Sequence, residues 1–212
     1  MANHKFTPTR TPTFGHVAIR ERVARVVVTG GECTGKTTLA LRLARKFGVP
    51  SIDEYARTYA ASAGRALTAS DVEPIARGQV AAEDSMFAQW QEAAASNHIP
   101  PMVVLDTDLV STTVYADFYY GGTPEWVRDE ARERLGDLYL LCAPDIRWES
   151  DGIRDLPLPQ ARADVHQRFV TRLRELGATT LLVTGQGDQR FDVATAAVRG
   201  WRAAMARGLT HR

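Results

Sequence analysis

The stretch that most constrains this chain is Gly30-Gly31-Glu32-Cys33-Thr34-Gly35-Lys36-Thr37, set between an apolar run and an amphipathic one. Arg25-Val26-Val27-Val28-Thr29 has the β-branched composition of a buried strand. Thr38-Leu39-Ala40-Leu41-Arg42-Leu43-Ala44-Arg45 follows, and its spacing puts Leu39, Leu43 and Phe47 on one helical face. A strand that passes through Gly-x4-Gly-Lys-Thr into a helix aims loop amides and the helix N-terminus at one point, where a phosphate binds. The lysine stands out in this chain: of 26 cationic residues, only Lys5, Lys36 and Lys46 are lysines. Arginine is a wide planar fork, whereas lysine is a compact charge on a flexible stem that reaches the β- and γ-phosphates. Gly30, Gly31, Glu32, Cys33, Thr34, Gly35, Lys36, Thr37 and Thr38 are therefore expected around ATP.

Strand and helix signals alternate beyond this loop. Short apolar runs at 49–52, 102–106, 138–142 and 179–184 join the first strand. They are continuous rather than alternating, as in a parallel sheet buried on both faces. Helices are expected at about 53–63, 70–96, 108–120, 124–134, 160–176 and 191–206, the second opened by a Ser70/Glu73 capping box. Pro100 and Pro101 stop the chain before the third strand. The expectation is an α/β fold with a mostly parallel five-stranded sheet covered by helices on both faces. Residues 23–212 form one domain, with a proline- and charge-rich lid loop at about 143–159. Residues 1–22 form an arm with a short strand at 14–19.

Composition excludes several classes. A net charge of +1 gives no electrostatic drive toward nucleic acid or membrane. No apolar run approaches the roughly 20 residues of a membrane span. The arm lacks the apolar centre of a signal peptide. Cys33 in the loop and Cys142 at the end of a strand do not form a disulfide framework, so a reducing, cytoplasmic setting is expected. The five histidines show no metal-ligand spacing.

Parallel sheets bind ligands beyond the carboxyl ends of their strands, which directs attention to four places. After the second strand stands Asp53-Glu54-Tyr55-Ala56-Arg57. Glu54 is the candidate base for an attacking hydroxyl, with Asp53 as substitute and Arg57 one turn on, facing phosphate or acceptor. Acidic residues that favour a helix N-terminus are the other reading. After the third strand, Asp106 is expected to hold Mg²⁺ with the Thr37 hydroxyl. Asp108 either meets the acceptor or caps the next helix. After the fourth, Arg147 and Arg154 lie on the lid, and Trp148 in so polar a stretch suits stacking on a planar ligand. Phe87 and Trp90 share a helical face and belong to the core; Tyr115, Phe118 and Tyr119 pack the sheet, with Tyr115 within reach of the site.

In order and spacing these segments resemble the nicotinamide riboside kinase family, found as the C-terminal domain of bifunctional bacterial regulators of NAD synthesis. The resemblance is carried by Gly30–Ala40, Glu54-Tyr55-Ala56-Arg57, Asp71-Val72-Glu73, Ile75-Ala76-Arg77-Gly78-Gln79, Leu105-Asp106-Thr107-Asp108, Thr112-Thr113 and Trp148-x-x-Asp151-Gly152-x-Arg154. It covers about residues 26–154. It implies a P-loop NTPase three-layer sandwich and ATP- and Mg²⁺-dependent phosphorylation of a riboside 5′-hydroxyl, with nicotinamide riboside converted to nicotinamide mononucleotide. Lys36, Glu54 and Arg154 would then be catalytic. Asp53, Tyr55, Arg57, Asp108, Tyr115, Trp148 and Asp151 would surround the acceptor. The adenylyltransferase and DNA-binding parts of the bifunctional proteins have no counterpart here, and Asp53 stands where some members carry an aromatic. A kinase for another nucleoside or nucleotide, and a nucleotide-dependent switch, remain the alternatives. The switch lacks the Asn-Lys-x-Asp signal that reads guanine, since no lysine follows Lys46.

Overall fold

The computed structural model describes residues 23–95, 102–148 and 158–207. Five strands, β1 (Ala24–Thr29), β2 (Ser51–Ile52), β3 (Met102–Asp106), β4 (Leu138–Cys142) and β5 (Thr180–Val183), form one sheet in the order β2-β3-β1-β4-β5. Every pairing is parallel. The helices are α1 (Lys36–Phe47), α2 (Tyr55–Ala63), α3 (Val72–Ala95), α4 (Leu109–Tyr120), α5 (Glu125–Glu133), α6 (Pro159–Glu175) and α7 (Gly187–Ala206).

Successive strand residues point to opposite faces, so the run Val26-Val27-Val28 feeds two cores at once. Val27, Val103, Leu105, Tyr139 and Leu141 pack with α3, α4, α5 and α6. Val26, Val28, Val104, Leu138, Leu140 and Val183 pack with α1 and α7. That is a three-layer sandwich. Full burial of each such side chain stabilises the fold by roughly 1.5–3 kcal/mol, so the sheet centre is its most stable part. Phe87 and Trp90 pack against the first core as expected.

The chain leaves β1 for β2 and β3 on one side, then crosses to β4 and β5 on the other. This switch point places the glycine loop, residues 30–35, at the crevice beyond the carboxyl ends of the central strands.

Several boundaries differ from the sequence reading. The cap before α3 is not Ser70 with Glu73. A 3₁₀ turn over Ala69–Asp71 precedes the helix, and the Asp71 carboxylate accepts the Thr68 N–H at 2.8 Å and the Thr68 hydroxyl at 2.9 Å. Arg65 grips the same carboxylate with two bonds of 2.7 Å, while Glu73 turns outward to Arg77. α7 begins at Gly187 rather than Phe191, and α2 at Tyr55 rather than Asp53. The arm, the Pro100-Pro101 stop and lid residues 149–157 lie outside the described residues.

Candidate active site

The glycine loop is shaped by three left-handed residues. Gly30 has φ 134°, and a Cβ there would sit 2.8 Å from the Cys142 carbonyl oxygen, so only glycine lets the loop leave β1 so close to β4. Gly35 (φ 73°) and Cys33 (φ 52°) turn successive amides toward a common point, the concave nest that receives an anion. The first turn of α1 carries no acidic residue, leaving its positive end unopposed. Thr34 donates to the Gly31 carbonyl at 2.9 Å, and Lys36 Nζ donates to the same oxygen at 2.8 Å. Thr37 is half-buried and Thr38 exposed on the first helical turn.

The loop is braced from outside. Arg190, 3% exposed, donates to the carbonyls of Thr34 (2.8 Å), Gly185 (2.7 Å) and Ala143 (3.1 Å), and pairs with Asp145. Arg162 donates to the Ile146 carbonyl at 3.0 Å, and the Cys33 thiol to that of Arg147 at 3.3 Å. One arginine from α7 therefore fixes three loops at once. Sequence reading missed it, because nothing local marks an arginine whose partners come from three other segments. Cys33 and Cys142 are not joined in a disulfide.

Asp106 closes β3 at 2% exposure. Its carboxyl is raised above its ordinary range, first by burial, with the Thr37 hydroxyl bond and the Lys36 charge opposing the rise. Its Oδ1 is buried without a hydrogen-bond partner among the described residues. A buried carboxylate oxygen with no partner, beside a threonine hydroxyl, fits a hard cation that needs few protein ligands, and Mg²⁺ is such an ion. Among the described residues, no group of three or more His, Cys, Asp or Glu forms a denser metal site.

A cleft of about 830 Å³ opens beside the loop. Glu32, Cys33 and Lys36 line one side, Glu54, Arg57, Arg65 and Thr68 another, and Gln79, Thr107, Ser111, Tyr115 and Tyr119 a third. This volume is of the size that holds a drug-sized ligand. Lys36, Glu54, Arg57 and Tyr115 thus share one cavity. Glu54 pairs with Arg57 at 3.6 Å, and its charge is felt at Asp106. Tyr115 stacks on Tyr119, with ring centroids 6.0 Å apart, and Tyr119 donates to Glu32 at 3.3 Å. Thr107 has φ 68°, rare for a β-branched residue, and such strain gathers at functional sites. Thr107, Gln79 and Tyr119 line the cleft unforeseen as site residues.

Other candidates stand elsewhere. Asp108 is buried and is not among the residues that line the cleft, and of its two expected roles the cap is the one its contacts show. Its carboxylate accepts the Tyr139 hydroxyl at 2.5 Å and the Val110 N–H at 3.1 Å, so it caps α4. Burial raises it to about 6, against the pull of the Tyr139 bond. Asp53 is exposed and does not line the cleft. Tyr55 packs on α3 rather than facing the cavity. Trp148 is half-buried outside the cleft lining, on the strand-four exit that runs past Cys33. Asp151 and Arg154 lie outside the described residues.

Comparison with known proteins adds the context. Residues 25–190 match the family model described as an AAA domain. The trifunctional NAD biosynthesis/regulator protein NadR of Escherichia coli (strain K12) is 32% identical over 157 residues, covering 72% of this chain and 36% of the relative. The protein of the same name from Salmonella typhimurium is 31% identical over the same share of each chain. The chain thus spans 36% of the length of these curated relatives. Among solved structures, NadR protein in complex with NR aligns over 86% of this chain and 52% of its own, at TM-score 0.65 and 27% identity. NadR in complex with NAD and AMP-PNP aligns at TM-score 0.62 and 27% identity, over 86% and 50% of the two chains. Thymidylate kinase from Ehrlichia chaffeensis shares the fold, at TM-score 0.57 and 13% identity over 84% and 98%.

Proposed function

This chain belongs to the AAA-domain family of P-loop proteins, and from that premise we propose that it is an ATP-dependent kinase whose acceptor is a riboside hydroxyl, nicotinamide riboside first. The observation that carries the proposal is the meeting of Lys36 and Glu54 in one cavity of nucleoside size. The NadR relatives, one solved with NR and one with AMP-PNP, support the same reading.

Lys36 leaves the Gly31 carbonyl for the β- and γ-phosphates, and the loop amides hold the remaining phosphate oxygens. Asp106 and the Thr37 hydroxyl would hold Mg²⁺, which would supply neutralisation of phosphate charge when bound. The acceptor hydroxyl enters between Arg57 and Tyr115 and gives its proton to Glu54 as its oxygen bonds the γ-phosphorus. The bond to the β-phosphate oxygen breaks, and ADP leaves. Arg154 of the lid is proposed to stabilise the transferred charge, with Trp148 and Asp151 on the same segment; Tyr55, packed on α3, supports the acceptor side through its neighbour Glu54.

A nucleotide acceptor is the second reading. It is favoured by Arg57 and Arg65, whose side chains line the cleft at 45% and 53% exposure and suit a monophosphate. ADP release with Mg²⁺-ATP, measured against nicotinamide riboside, a nucleoside panel and nucleoside monophosphates, separates the readings. Riboside-dependent release is expected. Release with monophosphates alone moves the acceptor to a nucleotide, and release independent of any acceptor removes the kinase reading.

A further inference from the structure

Two sequence segments of the site, Glu54-Tyr55 and Gly78-Gln79, interlock in space. Helix α2 has no buried residue, and its N-cap Glu54 makes no side-chain capping bond. The cap comes instead from α3: the Tyr55 N–H donates to Gln79 Oε1 at 3.1 Å. Gln79 is 3% exposed, and its Nε2 donates to Glu83 Oε1 at 3.1 Å, one turn further along the same helix. Glu83 is itself 1% exposed, with Arg25 3.8 Å from its other oxygen.

The orientation of the Gln79 amide is therefore determined. A backbone N–H only donates, so the amide oxygen must face Tyr55, and the amino group faces a carboxyl that accepts. Gly78 completes the contact. A Cβ at this position would lie 2.0 Å from Tyr55 Cε1 and 2.2 Å from Cζ, so the ring lies on bare α3 backbone. The first residue of α2 is thus held on two sides, and the residue before it is Glu54. Buried glutamines mid-helix cost desolvation unless both ends are satisfied. Here both ends are satisfied, and one of them serves a different helix.

We infer that Gln79, oriented by Glu83 and backed by the Gly78–Tyr55 contact, is a positioning residue that holds Glu54 against the attacking hydroxyl. The inference rests on the kinase reading above and deepens it. Gln79 acts through Glu54, not on the reacting atoms.

Two variants test it. Gln79→Met keeps length and removes the acceptor; Gly78→Ala keeps every polar group and displaces the Tyr55 ring. Each is expected to lower kcat by about 10- to 100-fold, the scale of a misplaced catalytic group, with KM for ATP within about twofold of wild type. In a Glu54→Gln background the same changes are expected to cost less than about twofold, because groups acting as a unit are non-additive. Backbone amide exchange over residues 55–63 of the ligand-free protein is expected to rise about tenfold, with β1 and β3 unchanged.

Equal losses in both backgrounds of an active enzyme overturn the positioning role. Unchanged exchange at α2 in both folded variants overturns the clamp. A wild-type chain that releases no ADP with any acceptor overturns the kinase reading, and the exchange arm then still decides whether the clamp exists.

Discussion

Two of the helices that border the cleft, α1 and α2, are attached in opposite ways. α1 follows β1 and buries Lys36, Leu39, Ala40, Leu43 and Ala44 against the sheet. α2 follows β2, a strand of only two residues, and has no fully buried residue. It is held by polar contacts at its edges: Tyr55 to Gln79, and Tyr59 to Asp71 at 2.9 Å. The side of the cleft proposed for phosphate is thus part of the hydrophobic core, and the side proposed for the acceptor is an attachment to it. Apolar burial is non-directional and tolerant, whereas a hydrogen-bonded clamp fixes one geometry and fails when one partner changes. The difference suggests a division of labour: the fold fixes where the nucleotide lies, and a few polar residues fix what meets it.

The largest expected effect breaks the phosphate side without disturbing the core. Lys36→Ala should lower kcat/KM on the order of 10³-fold while the thermal midpoint stays near that of wild type, read by ADP release and calorimetry. Glu54→Gln comes next on the acceptor side: kcat should fall about 10²-fold with ATP affinity unchanged, measured by titration of ATP alone. Normal turnover in that protein removes Glu54 as the base.

Stability should divide the two sides in the reverse sense. Leu43→Ala, at a fully buried position of α1, should cost about 2–5 kcal/mol in denaturant unfolding. Arg65→Ala, at the exposed end of the Asp71 network beside α2, should shift the unfolding midpoint far less. Equal losses would erase the contrast between the helices.

A smaller effect reports on the support behind the clamp. Burial, reinforced by the neighbouring Asp108 charge, raises Glu83 to about 7 from its ordinary 4.5. The folded state therefore holds this proton more tightly than the unfolded chain does. Its contribution to stability is full below about pH 4.5 and is lost as pH rises to about 7. Compared with Glu83→Gln, wild type should lose stability on the order of 2 kcal/mol between pH 5 and pH 8. Asp108, raised to about 6, titrates in both proteins. Parallel melting profiles for the two proteins would show that Glu83 is not buried as described.

Sequence made the phosphate side legible because its signals are local. The apolar run that became β1, the loop glycines with left-handed backbone, and the amphipathic spacing of α1 lie within a few residues of one another. The family resemblance drawn from these motifs is borne out by the NadR relatives. The acceptor side was less legible because its determinants are distant. Asp108 appears from sequence as free to meet a substrate, yet Tyr139, 31 positions away, takes its carboxylate. Ser70 reads from sequence as the cap, yet Asp71, held by Arg65, takes the Thr68 N–H instead. Gln79 carries no sequence mark beyond its place in a motif, since its role requires knowing that Tyr55 lies across from it.

The central claim is transfer of a phosphoryl group to a riboside, and phosphorus-31 NMR of the reaction mixture tests it most directly. With Mg²⁺-ATP and nicotinamide riboside, a phosphate monoester resonance should grow in step with ADP, without inorganic phosphate, and Lys36→Ala should abolish it. ADP accompanied only by inorganic phosphate, with no ester formed, would contradict the account and leave a nucleotide-hydrolysing switch in its place.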